Sequence, residues 1–469
     1  MKAGTDSSKG TIVILLVVML ILAVGQGGVG GANAARGEGD ASEQSTVRNQ
    51  FGVLAIYPHN PHYFQTADGR SVVLIGDYTW GTFSDADFDY KAQFATLQAN
   101  GLNFARVWLW WGAEQFPPPD DKLHIEPFLR PGPGKANDGR PKYDLSQFNP
   151  AFFDRLRDLC AAARQRGVFL QLITMDAWML KHTHLWKLHA FHRDNNVNGV
   201  DGDPQNTGTG TDGQQGFCSM GNPKVIEFQK AYLRKLVDTV HDFDNLLIEI
   251  ANENYYSADW ERHLCEFIRE QERTKPRQHV LMPLDLLNHS SVVQKWDPKV
   301  VRAALLEKRR LRQPLIFDTD WIINDNDDEV RKAMWTAVLS GGHFNYMDDS
   351  LEFRANPVLD KRARLHRQIG YLAAFVKRLK PWEMQPDDAL VKSGFAFVMA
   401  SASELVAYLP TGGSVTLDLG CLKGRLAARW FNPREGQFGD EFNLEVSQFC
   451  ELKTPDAGDW TLLLSQRGH

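Results

Sequence analysis

The chain is predicted to be an α/β protein, with a (β/α)8 TIM barrel followed by a small C-terminal antiparallel β-sandwich. From about residue 71, apolar strand patterns alternate with amphipathic helix patterns, which is typical of a parallel sheet. Polar residues follow the ends of successive strands, where such barrels carry their functional groups. After Pro381, short alternating runs separated by Gly, Asn and Pro take over, as in a β-sandwich. The 469 residues are enough for both parts.

The N-terminal segment is predicted to be a signal peptide rather than part of the fold. A lysine, Lys9, precedes the apolar run 11–24, and Ala-Asn-Ala at 32–34 has the small-x-small form of a cleavage site. The run is short for a membrane-spanning helix, although an uncleaved anchor stays open as the alternative. We assign residues 1–34 to the signal peptide and the small, polar residues 35–50 to a disordered linker.

Residues 51–382 are assigned to the barrel, because eight strands with intervening helices span roughly 300 residues, the usual size of this fold. The long connections 117–141 and 178–220 suggest a functional role. The predicted strands are 71–76, 102–108, 168–173, 246–251, 279–284, 291–293, 314–317 and 342–347. The predicted helices are 88–100, 150–166, 223–242, 260–273, 299–310, 327–339 and 357–379.

Residues 383–469 are assigned to the β-sandwich. The runs that predict its strands are 393–399, 404–409, 414–419, 425–431 and 460–465. The Thr-Gly-Gly sequence at 411–413 is expected to form a hairpin turn between the second and third of these runs.

Composition argues against several classes of function. The net charge is −6 and no basic stripe occurs, so nucleic acid is not an expected partner. No CxxC or HExxH spacing occurs, so we assign neither a metal nor a cofactor. Export would permit a disulfide between Cys421 and Cys450, whereas Cys160 and Cys265 fit helical patterns in which a free buried thiol is equally plausible.

The most informative residues are Asn252 and Glu253, which follow the apolar strand 246–251. At a strand end, a carboxylate beside an amide that can hold a hydroxyl suits general acid catalysis at a glycosidic bond. Taken alone, the pair also fits a helix-capping Asn followed by a solvated Glu. The other candidates at strand ends are Asp77, Arg106, Trp108, Asp176, Asp318, Asp320, Trp321 and Asp348.

Several segments resemble clan A glycoside hydrolases, which are retaining (β/α)8 enzymes with an Asn-Glu acid/base after strand 4. The strongest match is residues 244–253, and residues 76–80 and 195–199 are similar to the ends of strands 1 and 3. Within the clan, the chain resembles the exported bacterial DUF4038, or apiosidase-like, group. Residues 407–433 resemble the small β-domain of that group, which is labelled as collagen-binding. The likeness spans about residues 52–468.

The resemblance implies that Glu253 is the general acid/base, that Asn252 holds the sugar 2-hydroxyl and that Arg106 supports the nucleophile. The chain departs from the pattern at strand 7, where Asp318 and Asp320 stand and the expected Glu is absent. Asp320, which lies further toward the strand end, is the preferred nucleophile, and Asp318 stays an alternative. Asp is shorter than Glu and could widen the gap between carboxyl groups, which leaves an inverting mechanism open. The pair could also cap the next helix or bind a cation.

The remaining candidates are expected to contact substrate. Trp108 is predicted to form a platform, whereas its neighbours Trp110 and Trp111 are expected to point outward into helix packing. The residues that follow strands 1, 3, 7 and 8 complete the predicted substrate contacts: Asp77, Asp176, Trp321 and Asp348.

The sequence therefore predicts a secreted or cell-envelope glycosidase that acts on a poly- or oligosaccharide as a monomer and needs no cofactor. A membrane attachment is expected only if the N-terminal segment stays uncleaved. The alternative is a non-catalytic carbohydrate-binding or matrix-adhesion protein with a degenerate barrel, which the missing strand 7 Glu would favour.

Overall fold

The structure, a computed structural model, describes residues 52–466 apart from 80, 112–124, 253–256, 283–286, 289–296, 320–325, 348–362, 421, 423 and 446–447. The predicted signal peptide and linker, residues 1–50, lie outside the described residues. Four predicted site residues also lie outside them: Glu253, Asp320, Trp321 and Asp348. No helix among the described residues is long and apolar enough to cross a bilayer.

Eight parallel strands form one continuous sheet. They are β1 Ile75–Tyr78, β2 Phe104–Trp108, β3 Phe169–Asp176, β4 Leu246–Asn252, β5 Val280–Met282, β6 Leu287–Asn288, β7 Ile316–Asp318 and β8 His343–Met347. Their order is β5-β4-β3-β2-β1-β8-β7-β6, the cyclic order of a barrel opened between β5 and β6. The predicted parallel sheet is confirmed. Among the described residues no pairing joins β5 to β6, so closure of the barrel stays a prediction.

The predicted bounds of the first strand are wrong. Ser71–Val72 pairs with Phe64–Gln65 in a small antiparallel sheet, and β1 begins only at Ile75. Between the two strands, the Leu74 N–H donates to a side chain, His343 Nδ1 at 2.9 Å, instead of to a backbone carbonyl. The sixth strand, expected at 291–293, lies at Leu287–Asn288, and residues 289–296 are outside the described residues.

Amphipathic helices follow the strands, and most begin at a side-chain cap, as the acceptors at their N-termini predict. They are α1 Tyr90–Ala99, α2 Pro150–Gln165, α3 Pro223–Val240, α4 Ala258–Glu272, α5 Pro298–Lys308, α6 Asp327–Leu339 and α7 Ala363–Val376. The short elements are the α-helices Gly81–Ser84, Ala177–Leu180 and Thr183–Trp186, the 3-10 turns Arg309–Leu311, Pro381–Glu383 and Asp388–Leu390, and the strands Ala55–Ile56, Phe128–Leu129 and Asp144–Phe148.

The C-terminal region forms two antiparallel sheets around a shared apolar core. Its strands are β9 Gln385–Pro386, β10 Val391–Ser393, β11 Phe397–Ala400, β12 Glu404–Leu409, β13 Ser414–Asp418, β14 Arg425–Asn432, β15 Gln437–Phe438, β16 Phe442–Glu445, β17 Phe449–Lys453 and β18 Trp460–Gln466. The larger sheet has the order β9-β11-β12-β18-β14-β15, with β16 also paired to β14. The smaller sheet has the order β10-β13-β17.

The hairpin predicted at residues 411–413 is wrong, because β12 and β13 belong to different sheets. Gly412 and Gly413, with φ of 62° and 97°, carry the chain from one sheet to the other. The predicted strand 393–399 is likewise two strands, β10 and β11, in different sheets. Gly394, with φ of 85°, lies at that switch, where an added Cβ would come within 2.2 Å of the Ser414 carbonyl oxygen.

The helices α5 and α6 pack against the C-terminal sheets through paired charges and stacked rings. Arg331 of α6 donates two hydrogen bonds to Asp459, at 2.9 and 3.0 Å. Trp335, one turn further along α6, stacks on Tyr408 with ring centroids 5.6 Å apart. Arg302 of α5 donates to Asp388 at 2.7 Å. These contacts bury charge and aromatic surface together at the junction.

Cys450 is a free thiol in β17, which counts against the suggested pairing with Cys421, and Cys421 itself lies outside the described residues. Cys160 and Cys265 are free and buried in helices, as the helical patterns around them predict. Burial raises the pKa of the Cys265 thiol to about 12, so it stays protonated and unreactive near neutral pH.

Candidate functional site

Arg106 of β2 lies at the centre of a buried polar cluster inside the parallel sheet. Its Nη1 donates to Asp318 Oδ2 at 2.7 Å, and its Nη2 donates to Asn252 Oδ1 at 2.8 Å and to Glu249 Oε2 at 3.1 Å. The side chain is 1% exposed. One guanidinium thus joins three strands, β2, β4 and β7, that are far apart in sequence. Its planar fork suits several acceptors at fixed angles, which a lysine could not reach together.

The two carboxylates determine the electrostatics of the cluster. Burial disfavours the Arg106 charge, but the adjacent Glu249 and Asp318 outweigh burial and raise the Arg106 pKa well above its ordinary value. Burial raises the pKa of the Asp318 carboxyl despite the opposing effect of Arg106. Burial also raises the pKa of Glu249 against the same opposition. A cluster with two acids and one base therefore favours uptake of a proton.

Neighbouring side chains hold the cluster in place. Gln171 of β3 donates from Nε2 to Glu249 Oε2 at 3.0 Å, so that this oxygen accepts from both Gln171 and Arg106. The Tyr78 and Asn345 side chains beside Asp318 act to lower its pKa and so favour its charged form. All of these residues come from the inward faces of the sheet, as the period of two along a strand requires.

Aromatic rings cover the cluster on one side. The Arg106 guanidinium carbon is 5.5 Å from the Tyr78 ring centroid and 5.9 Å from that of Trp108. Trp108 stacks on Trp110 with centroids 4.9 Å apart, so the expectation that Trp110 points outward is wrong. The chain leaves the strand after Trp108, and strict alternation no longer applies there. Trp111 does pack outward, against Tyr232 at 4.3 Å.

The structure places Asp77 away from the Arg106 cluster. Its Oδ2 lies 2.6 Å from His366 Nε2 of α7, and both side chains are buried between sheet and helix. Tyr78 faces the interior, so its neighbour Asp77 faces the helix layer. This position counts against the predicted substrate contact of Asp77. Asp176 ends β3 and its backbone is in register with Asn252, which puts it at the expected rim of the sheet.

Sequence reasoning overlooked Glu249, Gln171, Tyr78 and Asn345. Glu249, Gln171 and Asn345 each lie within a run of mostly apolar residues that predicts a buried strand. A charged or amide side chain at the centre of a buried strand needs a partner, because burying it alone is costly. That signal, present in three strands, could have predicted the cluster around Arg106.

The long connection after β3 packs around its own aromatic core. Trp186 stacks on His189 with centroids 5.2 Å apart, and His189 stacks on Trp111 of the connection after β2. Burial lowers the His189 pKa to about 3, so this imidazole is neutral. Among the described residues, no group of three or more His, Cys, Asp or Glu side chains is placed to hold a metal ion.

Two family models match parts of the chain. Residues 117–285 match a domain of unknown function, DUF6298, and residues 391–465 match a family described as "Putative collagen-binding domain of a collagenase". Neither match covers half of the chain. The barrel match is to DUF6298 rather than to the DUF4038 group, so the apiosidase-like assignment stays a prediction. No curated protein matches the chain.

Solved structures show the fold. A protein named "Glycoside hydrolase" superposes with a TM-score of 0.63 at 12% identity, covering 88% of this chain and 97% of its own. A glycoside hydrolase family 5 protein from Bacteroides vulgatus gives a TM-score of 0.60 at 13% identity, with 88% and 93% covered. The chain has the fold of these proteins. At such low identity, the likeness establishes architecture and not activity.

Proposed function

We propose that the chain is a glycoside hydrolase that cleaves O-glycosidic bonds in a poly- or oligosaccharide at the C-terminal ends of its parallel strands. The observation that carries this is Arg106, which joins Asn252 at the end of β4 to Asp318 at the end of β7. The barrel catalyses hydrolysis when acids from strands 4 and 7 act on opposite sides of one bond. The Arg106 contacts bring these two strand ends to a common centre.

The proposed roles follow from the positions of these residues. Glu253, next to Asn252 in the sequence, protonates the leaving oxygen, a role that requires a raised pKa. Asp318 is buried and bonded to Arg106. Asp318 and Asp320 are two residues apart in the sequence, the spacing at which side chains of an extended segment share a face. We therefore assign attack on the sugar carbon to Asp320 in a retaining reaction, with Asp318 as the alternative.

Other residues orient the substrate and the acids. Asn252 Oδ1 accepts from Arg106, so its amide NH2 is the group that donates to a sugar hydroxyl. Trp108 offers an aromatic face next to Arg106. Glu249 and Gln171 are fully buried positioning residues, since Glu249 accepts from Arg106 and Gln171 donates to Glu249. Asp176, Trp321 and Asp348 are the proposed rim contacts.

The proposal extends to assembly and location. The β5 and β6 edges pair to close the barrel, and the chain belongs to the apiosidase-like group of clan A. It is exported by its N-terminal segment and acts as a secreted or cell-envelope monomer without a cofactor. The apolar run 11–24 and the small residues 32–34 support export.

The test is hydrolysis of a panel of plant and microbial glycans by the full chain and its variants. We expect Glu253→Gln to lower kcat by about 10²–10⁴-fold, the usual contribution of a general acid or base. Asp320→Asn removes the proposed nucleophile and should lower kcat at least as much. Asp154→Asn, at an exposed position of α2, is the matched control and should keep full activity. Turnover unchanged in Glu253→Gln would remove the assignment.

A second candidate is a carbohydrate-binding protein that does not catalyse hydrolysis. The burial of Asp318 and its hydrogen bond from Arg106 favour this candidate. A carboxylate that is buried and accepts a hydrogen bond from a guanidinium is a poor nucleophile. Glycan binding without any hydrolysis, insensitive to both Glu253→Gln and Asp320→Asn, would support this candidate over the enzyme.

A further inference from the structure

A cavity lies at the opposite end of the parallel strands from the Arg106 cluster. Its volume is about 650 Å³, and Ile75, Asn103 and Phe169 line it where β1, β2 and β3 begin. Helix α7 contributes its C-terminal residues to another wall. Cavities of roughly 300–1,000 Å³ hold small organic ligands. The cavity is thus large enough for a ligand and separate from the proposed catalytic centre.

Apolar side chains form most of its walls. Leu102 and Phe169 are buried, and the half-buried Val72, Val73 and Trp382 complete this surface. A wall of this kind gains free energy by covering the apolar body of a ligand, about 25 cal/mol for each Å² removed from water.

Three cationic side chains line the cavity. Arg70, Arg166 and Lys377 line it, and no Asp or Glu does so among the described residues. Arg70 is paired with Asp68 at 2.7 Å. Arg166 and Lys377 take part in none of the ion pairs that the described part of the chain forms. Among the described residues, the side chain of each makes one hydrogen bond, and it is long: Arg166 donates to Gln98 Oε1 and Lys377 to the Gly101 carbonyl oxygen, both at 3.4 Å.

We propose that this cavity binds an organic anion with one acidic head group and an apolar body, such as an aromatic or long-chain carboxylate. The carboxylate lies between Arg166 and Lys377, which lack a carboxylate partner in the described structure. The apolar body lies against Leu102, Phe169 and Trp382. Together the uncompensated positive charge and the apolar walls select an amphipathic anion over a neutral sugar or a polar polyanion.

The test is isothermal titration calorimetry of the full chain with 2-naphthoate, and with 2-naphthamide as a neutral ligand of the same shape. Dodecanoate and dodecanol form a second pair that distinguishes a long-chain from an aromatic ligand. We expect each carboxylate to bind more tightly than its neutral partner. In Lys377→Glu, carboxylate affinity should fall about fivefold as an attractive charge pair becomes repulsive, while binding of the neutral partner is unchanged.

Lys453→Glu, an exposed position of β17, makes the same change of charge away from the cavity and is the matched control. Arg166→Gln and Lys377→Gln remove charge without reversal and should give smaller losses, with thermal melting to show that each variant is folded. Equal binding of charged and neutral partners, equal losses in Lys377→Glu and Lys453→Glu, or no binding at millimolar ligand would each overturn the proposal. None of these measurements depends on glycoside hydrolysis.

Discussion

Arg331 of α6 and Asp459 at the start of β18 form a buried ion pair through two hydrogen bonds of 2.9 and 3.0 Å. The Tyr408 hydroxyl donates to the same carboxylate at 3.1 Å. We expect Arg331→Met to lower the free energy of unfolding by about 3–5 kcal/mol, because it leaves the buried Asp459 carboxylate with Arg434, at 4.0 Å, as its remaining cationic partner among the described residues. Urea denaturation measures this loss. Arg262→Met removes the exposed ion pair with Asp259 and should cost only about 0–1 kcal/mol. Equal losses in the two variants would contradict the prediction.

Acid should destabilise the fold through His343. Burial lowers the His343 pKa from 6.5 to about 3, and its Nδ1 accepts the Leu74 N–H, a bond that a protonated ring would lose. The unfolded chain takes up this proton near pH 6.5 and the folded chain only near pH 3. The stabilising contribution is therefore complete above pH 6.5 and is lost as pH falls from 6.5 toward 3, by up to about 1.4 kcal/mol per pH unit.

The variant His343→Asn tests this pH dependence, since an amide oxygen can accept the Leu74 N–H and does not titrate. The free energy of unfolding, measured by urea denaturation between pH 7 and pH 4, should fall less steeply in this variant than in the wild type. His59→Asn, at an exposed position, should leave the slope unchanged. Parallel curves for wild type and His343→Asn would show that this imidazole is not the group responsible.

Gly210 allows the long connection after β3 to lie flat on Trp186. A Cβ at Gly210 would come within 2.7 Å of the indole ring, and φ there is not in the left-handed region. We expect Gly210→Ala to destabilise the protein by about 1–3 kcal/mol through overpacking, as measured by chemical denaturation. In Gly439→Ala the nearest atom would be 3.7 Å away, so this control should be neutral. A neutral Gly210→Ala would mean that Trp186 can move aside.

Glu249 should tolerate loss of its charge but not loss of its side chain. Glu249→Gln keeps an acceptor for Arg106 and leaves that guanidinium balanced by Asp318, so stability should stay within about 1 kcal/mol of the wild type. Glu249→Ala deprives Arg106 and Gln171 of their acceptor and opens a cavity, and it should cost about 3–5 kcal/mol. Denaturation measures both, whatever the substrate. A large loss in Glu249→Gln would show that the buried cluster requires both negative charges.

The sequence predicted the parallel sheet well because its strands are buried on both faces and read as apolar runs. It misplaced β1 because the run 71–76 is continuous in hydropathy, whereas the His343–Leu74 hydrogen bond divides it. Such a bond joins residues 269 positions apart, and no local pattern reports it. The prediction of a hairpin at 411–413 is wrong because the glycines indicate a turn but do not indicate which sheet the next strand joins.

For the site, strand ends were the useful signal. The positions of Arg106, Asn252 and Asp318 at strand ends predict them as site residues, and the structure brings them together. Asp77 was named on the same ground but faces α7, because one residue of register decides which side of a strand a side chain occupies. Position at a strand end does not predict Glu249, because this residue lies in the middle of β4.

The order of strands in the C-terminal region has a consequence for synthesis. The strand β18 lies between β12 and β14 at the middle of the larger sheet, yet it follows both in the chain. Neither β12 nor β14 can form its hydrogen bonds with β18 until residue 466 has left the ribosome. Until then Tyr408 of β12, which stacks on Trp335 of α6, belongs to an incomplete sheet, so the nascent chain passes through a period in which a chaperone that binds apolar surface would have its target.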